Sequence, residues 1–254
     1  MAHKVRLLRT GFRDCAFNMG LDEAVLESVS AGIAMPTLRL YAWRPAAVSI
    51  GFFQGLEEEV DVEACRSRGI GVVRRITGGG AVFHQDELTY SVILPETHPL
   101  APASILKSYG TLCSGVISGL DELGIEAEFA PINDIVATGR KVSGNAQTRK
   151  SHCLLQHGTV LLSVDVDLMF DLLKVPSEKA KGKLIADVKA RVTGASDLVG
   201  REISFAEAET AMILGFAKAL EMEFSEEAPT AAEIARAEEI ARAKFADPVW
   251  TARR

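Results

Sequence analysis

Short strand-like runs that follow one another without a helix between them most constrain how this chain folds. Residues 4–9 (KVRLLR), 37–43 (TLRLYAW), 48–53 (VSIGFF), 70–75 (IGVVRR), 88–94 (LTYSVIL) and 154–163 (LLQHGTVLLS) are rich in β-branched and aromatic residues and bounded by Gly or Pro. A purely parallel sheet needs a crossover between successive strands, usually a helix. Several neighbours here have none. The expectation is an α/β (α+β) fold of mixed, largely antiparallel β-sheets flanked by helices.

Helical spacing fills the gaps between some strands. Phe17, Leu21, Val25 and Val29 form one apolar face after a cap at Asp14, and Ile105, Tyr109, Leu112, Val116, Leu120 and Leu123 form a longer one that stops at Gly124. Ser204 with Glu207, and Thr230 with Glu233, read as capping boxes opening helices to about Leu220 and Lys244.

With 254 residues, 48% of them hydrophobic, the chain can bury a full core, which argues against disorder. Absence of repeats and low-complexity linkers predicts one domain, 1–254, with a C-terminal helical extension at about 225–254. The charge balance, 28 basic against 34 acidic residues for a net −6, gives no field that would attract nucleic acid or anionic lipid. Residues 221–242 hold seven Glu against two Arg and read as a solvated acidic face. Cys15, Cys65, Cys113 and Cys153 lie too far apart for a zinc or thioredoxin pair. With neither a secretory leader nor a stretch apolar enough to span a membrane, the expected location is the cytoplasm.

Two nucleotide signatures are missing: there is no G-x-x-x-x-G-K-[ST], and the glycine patterns starting at Gly69 and Gly78 fail at Arg74 and Phe83. Residues 74–84 read RRITGGGAVFH. Three glycines after a strand bare backbone N–H groups to a ligand, and two arginines beside them suit a carboxylate or phosphate. A tight turn with its arginines in water fits the same residues. Residues 133–147, NDIVATGRKVSGNAQ, place Asp134 and Lys141 on two strands joined by a turn at Thr138-Gly139, with Gly144 breaking the second strand. An Asp able to hold Mg²⁺ and a Lys serving as a compact positive charge suit chemistry at a phosphoryl group, but a surface hairpin with a cross-strand ion pair has the same pattern. His157, in Gln156-His157-Gly158-Thr159, reads alone as a core histidine.

Together these segments resemble the lipoate-protein ligase family, of the superfamily that also holds biotin-protein ligases and octanoyltransferases. The similarity lies in LRLYAW…VSIGFFQ, RRITGGGAVFH, NDI…GRKVSGNAQ, LLQHGTVLL and FADPVW, in family order over nearly the whole chain. It implies a biotin/lipoate protein ligase-like single catalytic domain and a two-step reaction. ATP and Mg²⁺ activate lipoate or octanoate as an acyl-AMP (lipoyl-AMP), and the acyl group then passes to a lysine of a lipoyl domain. The acceptors implied are lipoyl domains of 2-oxoacid dehydrogenase complexes or the glycine cleavage H protein.

By the same resemblance Lys141 is the catalytic lysine. Arg75, Thr77, Gly78, Gly79, Gly80, His84, His157 and Thr159 bind the acyl group. Asn133, Asp134, Val82, Phe83, Ser143 and Gly144 bind ATP and the adenylate, with Asp134 on Mg²⁺. Two features modify this picture. Residues 84–91, HQDELTYS, resemble the cysteine-dependent octanoyltransferases, which take the acyl group from acyl carrier protein without ATP. Those enzymes carry a nucleophilic Cys just before the hairpin, where this chain reads EAEFAPI at 126–132. The missing thiol and Asn133-Asp134 favour the ligase, with the transferase as the alternative. No accessory small domain follows the catalytic segment, so the resemblance also implies a separate accessory polypeptide as partner.

Overall fold

The computed structural model describes residues 2–174 and 178–253. Its strands are β1 (His3–Arg13), β2 (Thr37–Trp43), β3 (Ala47–Ile50), β4 (Gly71–Arg74), β5 (Val82–His84), β6 (Glu87–Pro95), β7 (Glu128–Ala130), β8 (Asp134–Ala137), β9 (Arg140–Lys150), β10 (Cys153–Leu161) and β11 (Met222–Glu227). Eight of them form one sheet in the order β11-β1-β2-β6-β10-β9-β8-β7, and β4-β3-β5 form a second. In the larger sheet β1 runs parallel to β11 and β2 while the other pairings are antiparallel; in the smaller, β3 is parallel to β4 and antiparallel to β5. The mixed, largely antiparallel architecture is the one expected from strands joined without crossovers.

The helices are α1 (Cys15–Ser30), α2 (Leu56–Glu59), α3 (Val62–Ser67), α4 (Ile105–Glu122), α5 (Val166–Leu172), α6 (Glu178–Arg191), α7 (Ala195–Val199), α8 (Phe205–Leu220), α9 (Ala231–Ile240) and α10 (Pro248–Ala252). On one face of the large sheet, Leu38, Leu40, Tyr90, Val92 and Leu154 pack with Leu112 and Val116 of α4 and Met212 and Phe216 of α8. On the other, Tyr41, Ile93 and Leu155 pack with Leu21 and Val25 of α1 and Ala237 and Ile240 of α9. Asp14 caps α1 by accepting from the Phe17 N–H at 2.9 Å. None of the described helices is long and apolar enough to cross a membrane.

Alternation in β2 ordinarily marks a strand with one wet face, yet all seven of its residues are buried. The polar positions are satisfied from α1. Arg39, 0% exposed, donates to Asp22 Oδ1 at 2.7 Å, to the Asn18 carbonyl at 2.9 Å and to Asn18 Oδ1 at 2.7 Å. Its guanidinium also lies 3.9 Å from the centre of the Tyr41 ring. Asp22 accepts further from Ser91 at 2.8 Å and Tyr41 at 3.1 Å, so one carboxylate ties α1 to β2 and β6.

Several boundaries differ from the sequence reading for local reasons. The strand read as 48–53 stops at Ile50, because the Gly51 N–H turns to Gln54 Oε1 at 2.9 Å. Gly144 does not break its strand: β9 runs through it, and the irregularity lies at Val142, skipped where Ile135 pairs with Ser143 and Val136 with Lys141. Ser204 caps α8, but the Glu207 carboxylate goes to Arg201 at 2.6 Å instead of back to the cap. Thr230 and Glu233 do form the full box, and the helix then widens into a π-helical turn at Ala241–Phe245. Glu233 also departs from the solvated acidic face, since it is buried against Arg6 at 2.6 Å.

Removing one partner of a buried ion pair strands the other, at a typical cost of about 3–5 kcal/mol. Asp22→Ala is expected to lower unfolding free energy by that order, read from the urea midpoint at constant m-value.

Candidate functional site

The glycine loop is built from its carbonyls outward. Arg75, buried, donates from Nη2 to the carbonyls of Gly78 at 3.0 Å and Gly80 at 2.9 Å, and from Nη1 to the Ser49 carbonyl at 2.9 Å and Ser49 Oγ at 2.6 Å. Burial pushes its pKa down to about 10. Gly79 has φ +95°, which a side chain rarely tolerates, and a Cβ on Gly51 would stand 2.0 Å from the Gly79 oxygen. The loop and the β3 end therefore interlock.

Arg74 corrects the expectation of two arginines offered to a ligand. It is fully buried and donates to the carbonyls of Gly51 at 3.0 Å, Phe52 at 3.1 Å, Trp250 at 3.2 Å and Thr251 at 2.8 Å. Its charge fastens the 51–54 turn to α10.

Two histidines stand on the wall behind the loop. His157 Nε2 lies 2.8 Å from Thr77 Oγ1, and its Nδ1 lies 3.3 Å from Asp22 Oδ2. Burial lowers the His157 pKa against the opposing pull of Asp22, so the ring is neutral at pH 7, donating to Asp22 and accepting from Thr77. Burial opposes ionisation of Asp22, but Arg39 and His157 outweigh it and hold the carboxyl below its ordinary range. His84 Nε2 lies 2.6 Å from Ser49 Oγ and its Nδ1 2.7 Å from Glu87 Oε1. Trp43 stacks on the His84 ring with centroids 4.0 Å apart.

The opposite wall is the β8–β9 hairpin. Thr138 (φ 51°) and Gly139 (φ 76°) both take positive φ, the requirement of a tight two-residue turn. Lys141 follows one residue later, its Nζ 2.7 Å from Asp134 Oδ1, with both side chains about a third exposed at 37% and 36%. A Cβ on Gly144 would come within 2.8 Å of Lys141 Cε and Nζ, so this glycine makes room for the ammonium arm. Asn145 braces the hairpin by accepting from the Tyr90 hydroxyl at 2.6 Å and donating to the Asn133 carbonyl at 2.9 Å. Asn133 returns a bond to the Asn145 carbonyl at 2.5 Å.

Between the walls lies a cavity of about 140 Å³. Of the expected residues, Arg75, Gly79, Gly80, Val82, His84, Asn133, Lys141, Gly144, His157 and Thr159 line it. A second cavity of about 170 Å³ adjoins it, sharing Ala81, Val82, Lys141, Gly144 and Thr159. The remaining expected residues lie elsewhere. Thr77 is buried behind His157, Gly78 faces a groove beside Phe52 and Arg149, Phe83 borders only the second cavity, Ser143 is buried within β9, and Asp134 lines neither cavity. Sequence reasoning missed Ser49, Tyr41, Trp43, Thr89 and Asn145, which also line the first cavity. The alternation of β2 carried a signal for Tyr41 and Trp43, since odd positions of that strand share the Arg39 face.

With these walls in view, the matches to known proteins have a place to sit. Residues 14–217 match the lipoyl protein ligase A/B catalytic domain. The chain belongs to that family. Relatives named octanoyltransferase LipM include one from Geobacillus kaustophilus, 39% identical over 100% of both chains, and one from Brevibacillus brevis, 39% identical over 94% of this chain and 95% of its own. Among solved structures, a bi-partite lipoate protein ligase from Thermoplasma acidophilum superposes with a TM-score of 0.90 at 31% identity, covering 98% of this chain and 96% of its own. A lipoate-protein ligase A bound with ATP superposes at 0.83 with 30% identity, covering 99% of each chain.

These matches bear out the family resemblance and the fold, and they overturn the expected activity. The full-length relatives are named as transferases, and a transferase receives an acyl group already activated, so the ATP-dependent ligase reaction and its ATP and Mg²⁺ requirement are withdrawn. The Asp134 carboxylate assigned to Mg²⁺ is paired with Lys141 at 2.7 Å. The 84–91 segment pointed toward the transferases; the missing upstream cysteine and the Asn133-Asp134 pair pointed away.

Because the native His157 pKa lies below the ordinary 6.5, the unfolded chain takes up a proton that the native protein refuses as pH falls below about 6.5. Stability contributed by neutral His157 is therefore present at higher pH and lost on acidification. His157→Asn, whose amide can still donate toward Asp22, is expected to show a shallower drop in urea midpoint from neutral to mildly acid pH than the wild-type chain.

Proposed function

We propose that this chain is an octanoyltransferase, moving an octanoyl group from a carrier thioester to a lysine amine of a lipoyl domain. The observation that carries the reading is the full-length similarity to relatives named octanoyltransferase LipM. The site suits it: Tyr41, Trp43, Met19 and Val82 give the first cavity apolar wall for an alkyl chain, and Lys141 stands where the carbonyl end of that chain would emerge. Acyl carrier protein is the proposed donor. Lipoyl domains of 2-oxoacid dehydrogenase complexes or the glycine cleavage H protein are the proposed acceptors.

In such a reaction negative charge gathers on the thioester oxygen as its carbonyl carbon is attacked. An ammonium at that oxygen lowers the barrier, and removing one preorganised donor typically costs about 2.7–4 kcal/mol, or 10²–10³ in rate. Lys141 fills this role. Lys141→Met is expected to fold normally and lose transfer by that factor.

The deciding experiment is intact-mass analysis of a lipoyl domain incubated with this protein and octanoyl-acyl carrier protein, without nucleotide. Gain of one octanoyl group supports the reading. Modification that requires ATP and free acid, and never proceeds from the thioester, sinks it.

A further inference from the structure

We propose that Ser49 is the nucleophile of the transfer, carrying the octanoyl group as an oxygen ester between donor and acceptor, with His84 as its base and Glu87 orienting the imidazole. The inference rests on the transfer reading above and names the atom that holds the acyl group.

A covalent route needs a nucleophile in the cavity, and the thiols do not supply one. Residues 126–132 contain no cysteine, and no cysteine lines either cavity. Cys113 packs in the core under α4, Cys65 beneath the small sheet, and Cys15 and Cys153 among the residues against α1. Burial pushes Cys15 and Cys65 up to about 11 and Cys113 up to about 12, so all three stay protonated at neutral pH.

Hydroxyls are present instead. Tyr41 and Thr89 line the first cavity but donate to carboxylates, Asp22 at 3.1 Å and Glu87 at 2.5 Å. Ser49, which lines the same cavity, donates to an imidazole. Its Oγ stands 2.6 Å from His84 Nε2, and His84 Nδ1 stands 2.7 Å from Glu87 Oε1. Nucleophile, base and orienting carboxylate thus follow one another at hydrogen-bond distance, the arrangement that activates a serine. The small sheet sets it up: Ala47 pairs with His84 across β3 and β5, which makes Ser49 the diagonal neighbour of His84 on one face.

The surroundings serve the same chemistry. A hydroxyl oxygen has one proton and two lone pairs. The Ser49 proton goes to His84, one pair accepts from Arg75 Nη1 at 2.6 Å, and the second is left for the acyl carbon. As the proton leaves, the guanidinium stabilises the charge growing on the serine oxygen. Trp43 holds the His84 ring by stacking, while its indole N–H donates to Thr89 at 2.7 Å. Glu87 Oε2 is buried without a hydrogen-bond partner among the described residues, so the carboxylate is placed to stabilise an imidazolium beside it. Ser49 itself is 0% exposed, which shields an ester there from water. Val82, its partner across the sheet, borders both cavities, and the second gives the acceptor lysine an approach of its own.

In the first half, Ser49 Oγ bonds to the thioester carbon as His84 takes its proton. The carbon–sulfur bond breaks, and the departing thiolate receives that proton from His84. In the second half, the neutral lysine amine bonds to the ester carbon and gives a proton to His84. The carbon–oxygen bond breaks, and the Ser49 oxygen takes the proton back. Thioester plus amine has become amide plus thiol, with Ser49 and His84 restored. Lys141, on the same cavity, serves the carbonyl oxygen in both halves.

Initial rates against octanoyl-acyl carrier protein and lipoyl domain are expected to give parallel double-reciprocal lines, the mark of a covalent intermediate; intersecting lines overturn the proposal. Enzyme mixed with the donor alone is expected to gain one octanoyl group, stable to neutral hydroxylamine and mapped by peptide mass to Ser49. An adduct on any cysteine, or on another hydroxyl, overturns the proposal and leaves the transferase reading intact. Ser49→Ala is expected to lose both adduct and transfer while keeping the wild-type urea midpoint within its ordinary range; transfer at the wild-type rate overturns the assignment. Ser49→Cys keeps a nucleophile in place, and its adduct at position 49 is expected to become labile to neutral hydroxylamine, a change that a merely structural Ser49 would not produce. Glu87→Gln, which acts only through the imidazole, is expected to lower kcat by about 10² with the donor KM little changed, and an unchanged kcat removes Glu87 from the arrangement. If the thioester supports no transfer by the wild-type protein, the transferase reading fails and the serine route with it.

Discussion

A single buried carboxylate organises the centre of this protein. Asp22 carries its charge out of water, and that is tolerable only because Arg39, Tyr41, Ser91 and His157 all converge on its two oxygens. The partners come from β2, β6 and β10, so the ion pair fixes how α1 lies across three strands of the large sheet. Through His157 the same network reaches Thr77 and the glycine loop. The placement of the cavity wall is thus set in the core.

Charge is distributed with a consistent logic around the cavity. Arg74 and Arg75, the cations most suggestive in the sequence, are consumed by backbone carbonyls and act as braces. A guanidinium with its five donors in a rigid fork is suited to that work. The more compact and mobile cation, Lys141, is held at a partly exposed position by one carboxylate and given space by Gly144. Rigid cations shape the loop, and a flexible one lines the cavity.

Much of this arrangement was readable from residue patterns, and the failures have physical causes. Strands 37–43 and 88–94, the caps at Asp14 and Thr230, and the hairpin turn at 138–139 followed from local chemistry, which acts over a few residues. The second role of Arg74 and the burial of Glu233 did not, because their partners at 250–251 and at Arg6 are distant in sequence. Asn145 and Ser49 were missed for the same reason: each is an ordinary strand residue until a wall from another element stands opposite. The activity was misread through the opposite fault. The missing cysteine before the hairpin and the Asn133-Asp134 pair outweighed the transferase-like HQDELTYS at 84–91, and the full-length relatives reverse that weighting.

Arg74 reaches from the small sheet into α10, while the Trp250 indole N–H donates back to the Arg74 carbonyl at 3.0 Å. Helix α10 is thereby wired to the 51–54 turn, and through the Gly51–Gly79 contact to the glycine loop. Anything that grips or tugs α10, whether a binding protein or an appended peptide, gains mechanical leverage over the cavity lined by Gly79 and Gly80 without ever entering it.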